Sequence, residues 1–152
     1  MPDGVIRRIL APVVLSEPEI PEMDYAIGLA AQLGADLVLF ACIDTPAMVN
    51  LIGRHKAAGE RVESFDASLV EDAKAILSKI VDEAAAHSVH ALGHATVGEN
   101  VEEQILKEAL VQKVDLILVR SKGRHGLMKA LLGSTAGDIL KAAPCPVLIA
   151  RT

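Results

Sequence analysis

A chain of 152 residues that is 51% hydrophobic yet only 2% aromatic, with no Trp, fits one domain (residues 1–152) burying roughly 68–70% of its unfolded surface, with a core built from Ala, Val, Ile and Leu. Its 15 basic and 20 acidic residues leave a net charge of -5, which excludes a general nucleic-acid surface, because phosphate backbones are held by net positive patches. No apolar run reaches the ~18–20 residues that span a bilayer, and no apolar leader precedes a cleavage site, so a cytoplasmic protein without membrane contact is expected.

Ile9 to Leu15 is the first predicted strand, and Ser16-Glu17-Pro18 turns the chain into a helix from about Glu19 to Leu33, stopped by Gly34. A second strand runs from Asp36 to Ile43 and ends at Asp44. Thr45 to Ser64 hold Pro46, Gly53, Gly59 and mixed charges without a sustained period. That predicts a long connection, which is uncommon unless functional. Between Asp66 and His87, Leu69, Val70, Ala73, Ile76, Leu77, Ile80 and Val81 recur at helical spacing. His90 to Val97 reads as a weaker, more polar strand, hence a sheet edge, and Gly98 ends it. Val101, Ile105, Leu106, Ala109 and Leu110 mark a further helix leading into Val114 to Val119, a nearly all-apolar strand of the kind buried on both faces. A last helix from Ser134 to Ala143, stopped by Pro144, precedes a fifth strand, Pro146 to Arg151. Strands alternating with helices predict a doubly wound, Rossmann-like α/β domain, its five-stranded parallel sheet covered by helices on both faces. In such domains ligands bind beyond the carboxyl ends of the strands, where the strand order reverses.

The stretch from Val119 to Ser134, V-R-S-K-G-R-H-G-L-M-K-A-L-L-G-S, joins a buried strand to a helix start through a basic, glycine-punctuated loop. Gly123 and Gly133 let backbone N–H groups approach phosphate oxygens or take a positive φ. Ser134 can donate its hydroxyl, and the helix opening at Gly133-Ser134-Thr135 presents unpaired N–H groups and a positive dipole end. Arg120, Lys122, Arg124 and Lys129 add charge-assisted bonds for a phosphate-bearing ligand. Each feature also has a purely structural reading: Ser134 or Thr135 as N-cap, with Thr135 and Asp138 in capping-box spacing, the glycines as turns, the cations as a solvated face.

Other chemistry is sparse. His90 and His94, four apart on one strand face, lack a third ligand at metal spacing, so no metal residues are assigned. Cys42 and Cys145 form no C-x-x-C pair and sit in apolar runs, reading as buried thiols of a reducing compartment. Asp44 ends the second strand where a ribose-binding acid can sit, or simply stops the strand. Without a G-x-S-x-G, H-E-x-x-H or Walker lysine motif, no nucleophile with its base is visible, and no catalytic residues are assigned.

Three segments carry a resemblance in order along the chain. I-L-A-P-V-V-L-S-E-P at the start matches the pattern I-L-V-P-x-D-x-S-E-x; Gly123, nine residues and Gly133-Ser134 match the later part of a G-x-x-G, nine residues, G-[S/T] motif; A-P-C-P-V-L-I-A-R closes the chain. On these segments the chain resembles the universal stress protein (UspA-like) family over essentially its whole length. The resemblance implies strand order 3-2-1-4-5 and a homodimer paired through the last strand; with no catalytic pair visible, a regulatory protein rather than an enzyme is expected. In one subclass it implies ATP or a related adenine nucleotide at the switch point between the first and fourth strands, with magnesium only where ATP is bound. The implied nucleotide residues are Pro12, Val13, Cys42, Val119, Arg120, Lys122, Gly123, Gly133, Ser134 and Thr135, the base being read by backbone groups near Val13 and Cys42. Two positions depart from the pattern. The first-strand acid falls at Val14, which accepts no hydrogen bond through its side chain, and the first glycine of the motif falls at Arg120. The alternative register, Gly123-Arg124-His125-Gly126, leaves six residues before Gly133 instead of nine and is rejected. The alternative functions are a nucleotide-hydrolysing or phosphoryl-transferring enzyme on the same fold, and a dimeric stress protein that binds no nucleotide.

Overall fold

The computed structural model describes residues 4–16, 23–57, 65–120 and 141–150. Along the chain lie β1 (Arg8–Pro12), α1 (Asp24–Leu33), β2 (Asp36–Ile43), α2 (Thr45–Ala57), α3 (Phe65–Ala86), β3 (Ala91–Val97), α4 (Val101–Val111), β4 (Leu116–Arg120) and β5 (Val147–Ala150). All neighbouring strands are parallel and the order is β3-β2-β1-β4-β5, the order the resemblance implies, with the polar β3 at an edge.

Pleating sends successive side chains to opposite faces, and crossovers of one hand that run in opposite directions across the sheet put their helices on opposite faces. One layer packs Ala26, Ile27 and Ala30 of α1, Leu51 of α2 and Leu69 and Leu77 of α3 against Ile9, Ala11, Leu37, Leu39 and Leu118. The other packs Ile105 and Ala109 of α4 against Leu10, Val38, Phe40, Ile117 and Val119. Covered on both sides, β2 is buried from Leu37 to Ile43. Among the described residues no helix is long and apolar enough to cross a membrane.

The long connection expected from Thr45 to Ser64 is corrected: Thr45–Ala57 is helix α2, and residues 58–64 lie outside the described set. The Asp44 carboxylate accepts from the Ala47 N–H at 3.0 Å, and its carbonyl from the Met48 N–H at 2.9 Å, so Asp44 caps the helix. Pro46, read as a breaker, falls in the first turn, where its missing N–H costs nothing. Ala47 and Leu51 are buried, with Met48 and Ile52 packed beside them, a narrow apolar stripe at helical spacing. β1 is also shorter than expected, ending at Pro12 instead of Leu15.

Gly34 stops α1 as expected, at φ 62°. The Ala35 N–H reaches the Ala30 carbonyl at 2.9 Å and the Gly34 N–H the Ala31 carbonyl at 3.4 Å, the paired bonds of a Schellman ending. α3 and α4 end with the same two bonds, but through Ser88 (φ 59°) and Lys113 (φ 52°), side-chain-bearing residues in the left-handed region.

Candidate functional site

At their amino ends β1 and the start of β4 are pinned together. The Asp115 N–H donates to the Arg8 carbonyl at 2.8 Å, and the Asp115 carboxylate accepts from the Arg7 and Arg8 N–H groups at 2.9 and 3.1 Å. The Arg8 guanidinium also donates to the Gln112 carbonyl at 2.7 Å. Toward the carboxyl ends the two strands part. Their pairing covers Ile9↔Leu116 and Leu10↔Ile117, whereas β1 stays on β2 up to Pro12↔Phe40 and β4 on β5 up to Arg120↔Ala150.

The parting has a cause in the sequence. Backbone groups of alternate strand residues face alternate neighbours: Arg7 accepts from Asp36 on β2, Arg8 from Asp115 beside β4, and the Val13 N–H donates to the Phe40 carbonyl at 2.7 Å. Odd residues of β1 therefore face β2 and even ones face β4. Pro12 turns toward β4 a nitrogen without hydrogen, and the ladder on that side stops. The break falls at the switch point of the sheet, where open α/β folds have their ligand crevice.

Five of the ten residues expected at a site lie at the carboxyl ends of β2, β1 and β4: Cys42, Pro12 with Val13, and Val119 with Arg120. Val13 is buried under α1–α3 and its N–H is engaged by Phe40, leaving its carbonyl as its polar group. Val14 is partly buried toward the α4 layer. Leu15 turns into the core under α1–α3 at 3% exposure, so it does not fill the switch point. Its carbonyl accepts from the Asn50 side chain of α2 at 2.8 Å, which ties the residues after β1 to that helix. Val119 is buried and Arg120 half-buried. Lys122, Gly123, Gly133, Ser134 and Thr135 lie outside the described residues, as do Arg124, Lys129 and most of the helix expected from Ser134.

Cys42 points toward the α4 layer, and its thiol donates to the Gly98 carbonyl at 3.4 Å. Burial first, then the nearby charges of Asp44, Glu99 and Glu102, push the thiol up to about 11, so it is protonated at neutral pH and no nucleophile. Its backbone is better placed. On β2 the Asp36 N–H and Phe40 carbonyl face β1 while the Leu37 N–H faces β3, so the Cys42 amide faces the β1 side, two residues beyond the last pair. Burial and the Asp115 charge also raise the Cys145 thiol; both cysteines are free.

Sequence reasoning missed the bonds that brace this end of the sheet. The Thr45 hydroxyl donates to Glu99 at 2.7 Å, linking the start of α2 to the turn before α4, and the Asn100 side chain caps α4 by accepting from the Glu103 N–H at 3.0 Å. The signal was an Asp-Thr-Pro sequence, an N-cap followed closely by proline. His94 stands opposite Phe40 in register, and His90, just before β3, has its Nδ1 3.9 Å from the Asp36 carboxylate; four residues of extended chain separate the two by about 13 Å, too far to share one ion. Among the described residues no three His, Cys, Asp or Glu side chains gather as a metal site.

The sequence profile of the universal stress protein family matches residues 6–151. Universal stress protein A homolog 2 of Coxiella burnetii is 33% identical over 146 residues, covering 95% of this chain and 94% of that protein. A universal stress protein of Methanocaldococcus jannaschii is 27% identical over 150 residues, covering 98% and 84%. Two solved structures share the fold: a universal stress protein in complex with cAMP (TM-score 0.58, 20% identity, 97% of this chain and 98% of that one), and the universal stress protein of Archaeoglobus fulgidus in complex with dAMP (TM-score 0.59, 16% identity, 97% and 99%). Profile, relatives and sheet order agree: this chain belongs to the universal stress protein family.

Proposed function

We propose that the chain, as one domain over residues 1–152, binds ATP or a related adenine nucleotide at the switch point between β1 and β4, and acts in the cytoplasm by recognition and signalling rather than turnover. The observation that carries this reading is the break in the β1–β4 ladder at Pro12, which leaves backbone groups of three strands at a common mouth. The nucleoside lies toward the carbonyl of Val13 and the amide of Cys42, with Pro12 and Val119 on the floor. The phosphates lie toward Arg120, with Lys122, Gly123, Gly133, Ser134 and Thr135 supplying cations, amides and hydroxyls. Magnesium is present only where ATP is bound. Relatives of the same fold have been solved with cAMP and dAMP, both adenine nucleotides, which supports the class of ligand.

The homodimer forms through β5. This strand is a sheet edge whose Val147, Leu148 and Ile149 are half-buried within one protomer, and an apolar edge strand needs a cover.

Purified protein tests the reading directly, since one Tyr and no Trp leave bound adenine to dominate the absorbance near 260 nm. Millimolar ATP raises the thermal midpoint by mass action; an unchanged midpoint contradicts the proposal. Magnesium-dependent phosphate release above background would replace recognition with turnover.

A further inference from the structure

We propose that Asp44 supplies the carboxylate that receives the ribose hydroxyls of the bound nucleotide, an assignment that rests on the nucleotide site proposed above. Within the adenine nucleotides the preference then narrows to ribonucleoside 5′-phosphates with free 2′ and 3′ hydroxyls, of which cAMP lacks the 3′ and dAMP the 2′.

A ribose brings two neighbouring O–H donors, and a donor buried without an acceptor loses its bonds to water for nothing. At the end of β1 the side chain of Val14 offers no acceptor. β2 reaches farther than β1: its partner stops at Pro12↔Phe40, while β2 continues to Ile43 and delivers Asp44 next. An acid after the strand neighbouring the first is where α/β nucleotide folds take a ribose hydroxyl.

Asp44 is also preorganised for the task. Its Oδ1 is fixed by the Ala47 N–H at 3.0 Å, which sets the side-chain rotamer. A carboxylate has about four acceptor positions on two oxygens, so the cap leaves most of its capacity for a ligand. Asp44 follows Cys42 by two residues at the end of β2, close along the chain to the amide that faces the nucleoside. A phosphate attached to the 2′ or 3′ oxygen would bring negative charge against it, so such nucleotides are disfavoured.

The test measures calorimetric affinities of the full chain for ATP and for 2′,3′-dideoxy-ATP, in wild type, Asp44→Asn and Asp44→Ser. Asn and Ser cap a helix as Asp does, and an unchanged thermal midpoint without nucleotide verifies that the fold is kept. Wild type is expected to prefer ATP by about tenfold or more, the size of a hydrogen bond to a charged group. Both variants lose that preference while binding the dideoxy nucleotide within about twofold of wild type. Variants that keep the wild-type preference, or a wild type that binds the two nucleotides equally, overturn the role of Asp44 and leave the nucleotide site standing. A wild type that binds neither nucleotide overturns the site and this assignment together.

Discussion

His94 Nδ1 and Glu108 Oε2 lie 2.5 Å apart, joining edge strand β3 to helix α4. Glu108 is 5% exposed, whereas the His94 side chain is 52% exposed and rests against the Phe40 ring at 5.7 Å. The other oxygen of Glu108 accepts from Gln112 Nε2 at 3.2 Å. A carboxylate in an apolar layer is tolerated because both oxygens are bonded. His94→Ala is therefore expected to cost about 1–3 kcal/mol by orphaning the carboxylate, and Glu108→Leu to cost less. The double variant should be more stable than His94→Ala alone, which urea unfolding of the three proteins checks.

Ser88 and Lys113 hold φ values of 59° and 52° at the ends of α3 and α4, where α1 uses Gly34. A left-handed residue with a side chain costs roughly 1–2 kcal/mol relative to glycine's freedom there, partly offset by glycine's flexibility in the unfolded chain. Ser88→Gly and Lys113→Gly are each expected to stabilise by about 0.5–1 kcal/mol, additively because they end different helices. Gly34→Ala should destabilise by a similar amount. Thermal midpoints of the three single variants and of the Ser88→Gly/Lys113→Gly double decide it.

Gly93 admits α3 onto β3. A Cβ there would come within 2.9 Å of the Leu77 Cβ and 3.3 Å of its Cδ1, and Leu77 is itself buried. Gly93→Ala should cost about 1–3 kcal/mol through overpacking. The same change in a Leu77→Ala background should cost less, so a denaturant double-mutant cycle yields a favourable coupling.

The sheet was legible because apolar runs such as Asp36–Ile43 admit no amphipathic helical reading, and the order followed from the family resemblance. Helix α2 was not, because its apolar stripe spans only Ala47, Met48, Leu51 and Ile52, while Pro46 and Gly53 resemble loop residues until Asp44 is seen to cap the first turn. The proline break at the switch point was equally hidden: Pro12 ends the β1–β4 ladder only because even residues of β1 face β4, and pairing direction is a property of the sheet. Of the candidate site, Val13 and Cys42 lie at the carboxyl ends of β1 and β2, but the engagement of the Val13 N–H by Phe40 required the register.

Cys42 offers a pH test. Its thiol is pushed up to about 11 from an ordinary 9.0, by burial and then by Asp44, Glu99 and Glu102. Between those values the unfolded chain releases a proton that the folded chain keeps, so the thiol's contribution is complete below pH 9 and is lost as pH rises through 11. Wild type should lose stability over that window relative to Cys42→Ala, measured by urea midpoints across pH. At pH 8 an alkylating reagent should modify Cys42 only on unfolding.

The central claim, that the proline-broken ladder between β1 and β4 is a nucleotide mouth, is tested most directly by following backbone amide NMR shifts while ATP is titrated into the protein. The account predicts that Val13, Cys42, Val119 and Arg120 move together on one saturating curve while Ser88 and Lys113, at helix ends that lead into the opposite end of the sheet, stay fixed. Amides at the strand ends that remain unmoved at millimolar ATP, or a saturating response centred elsewhere, would contradict it.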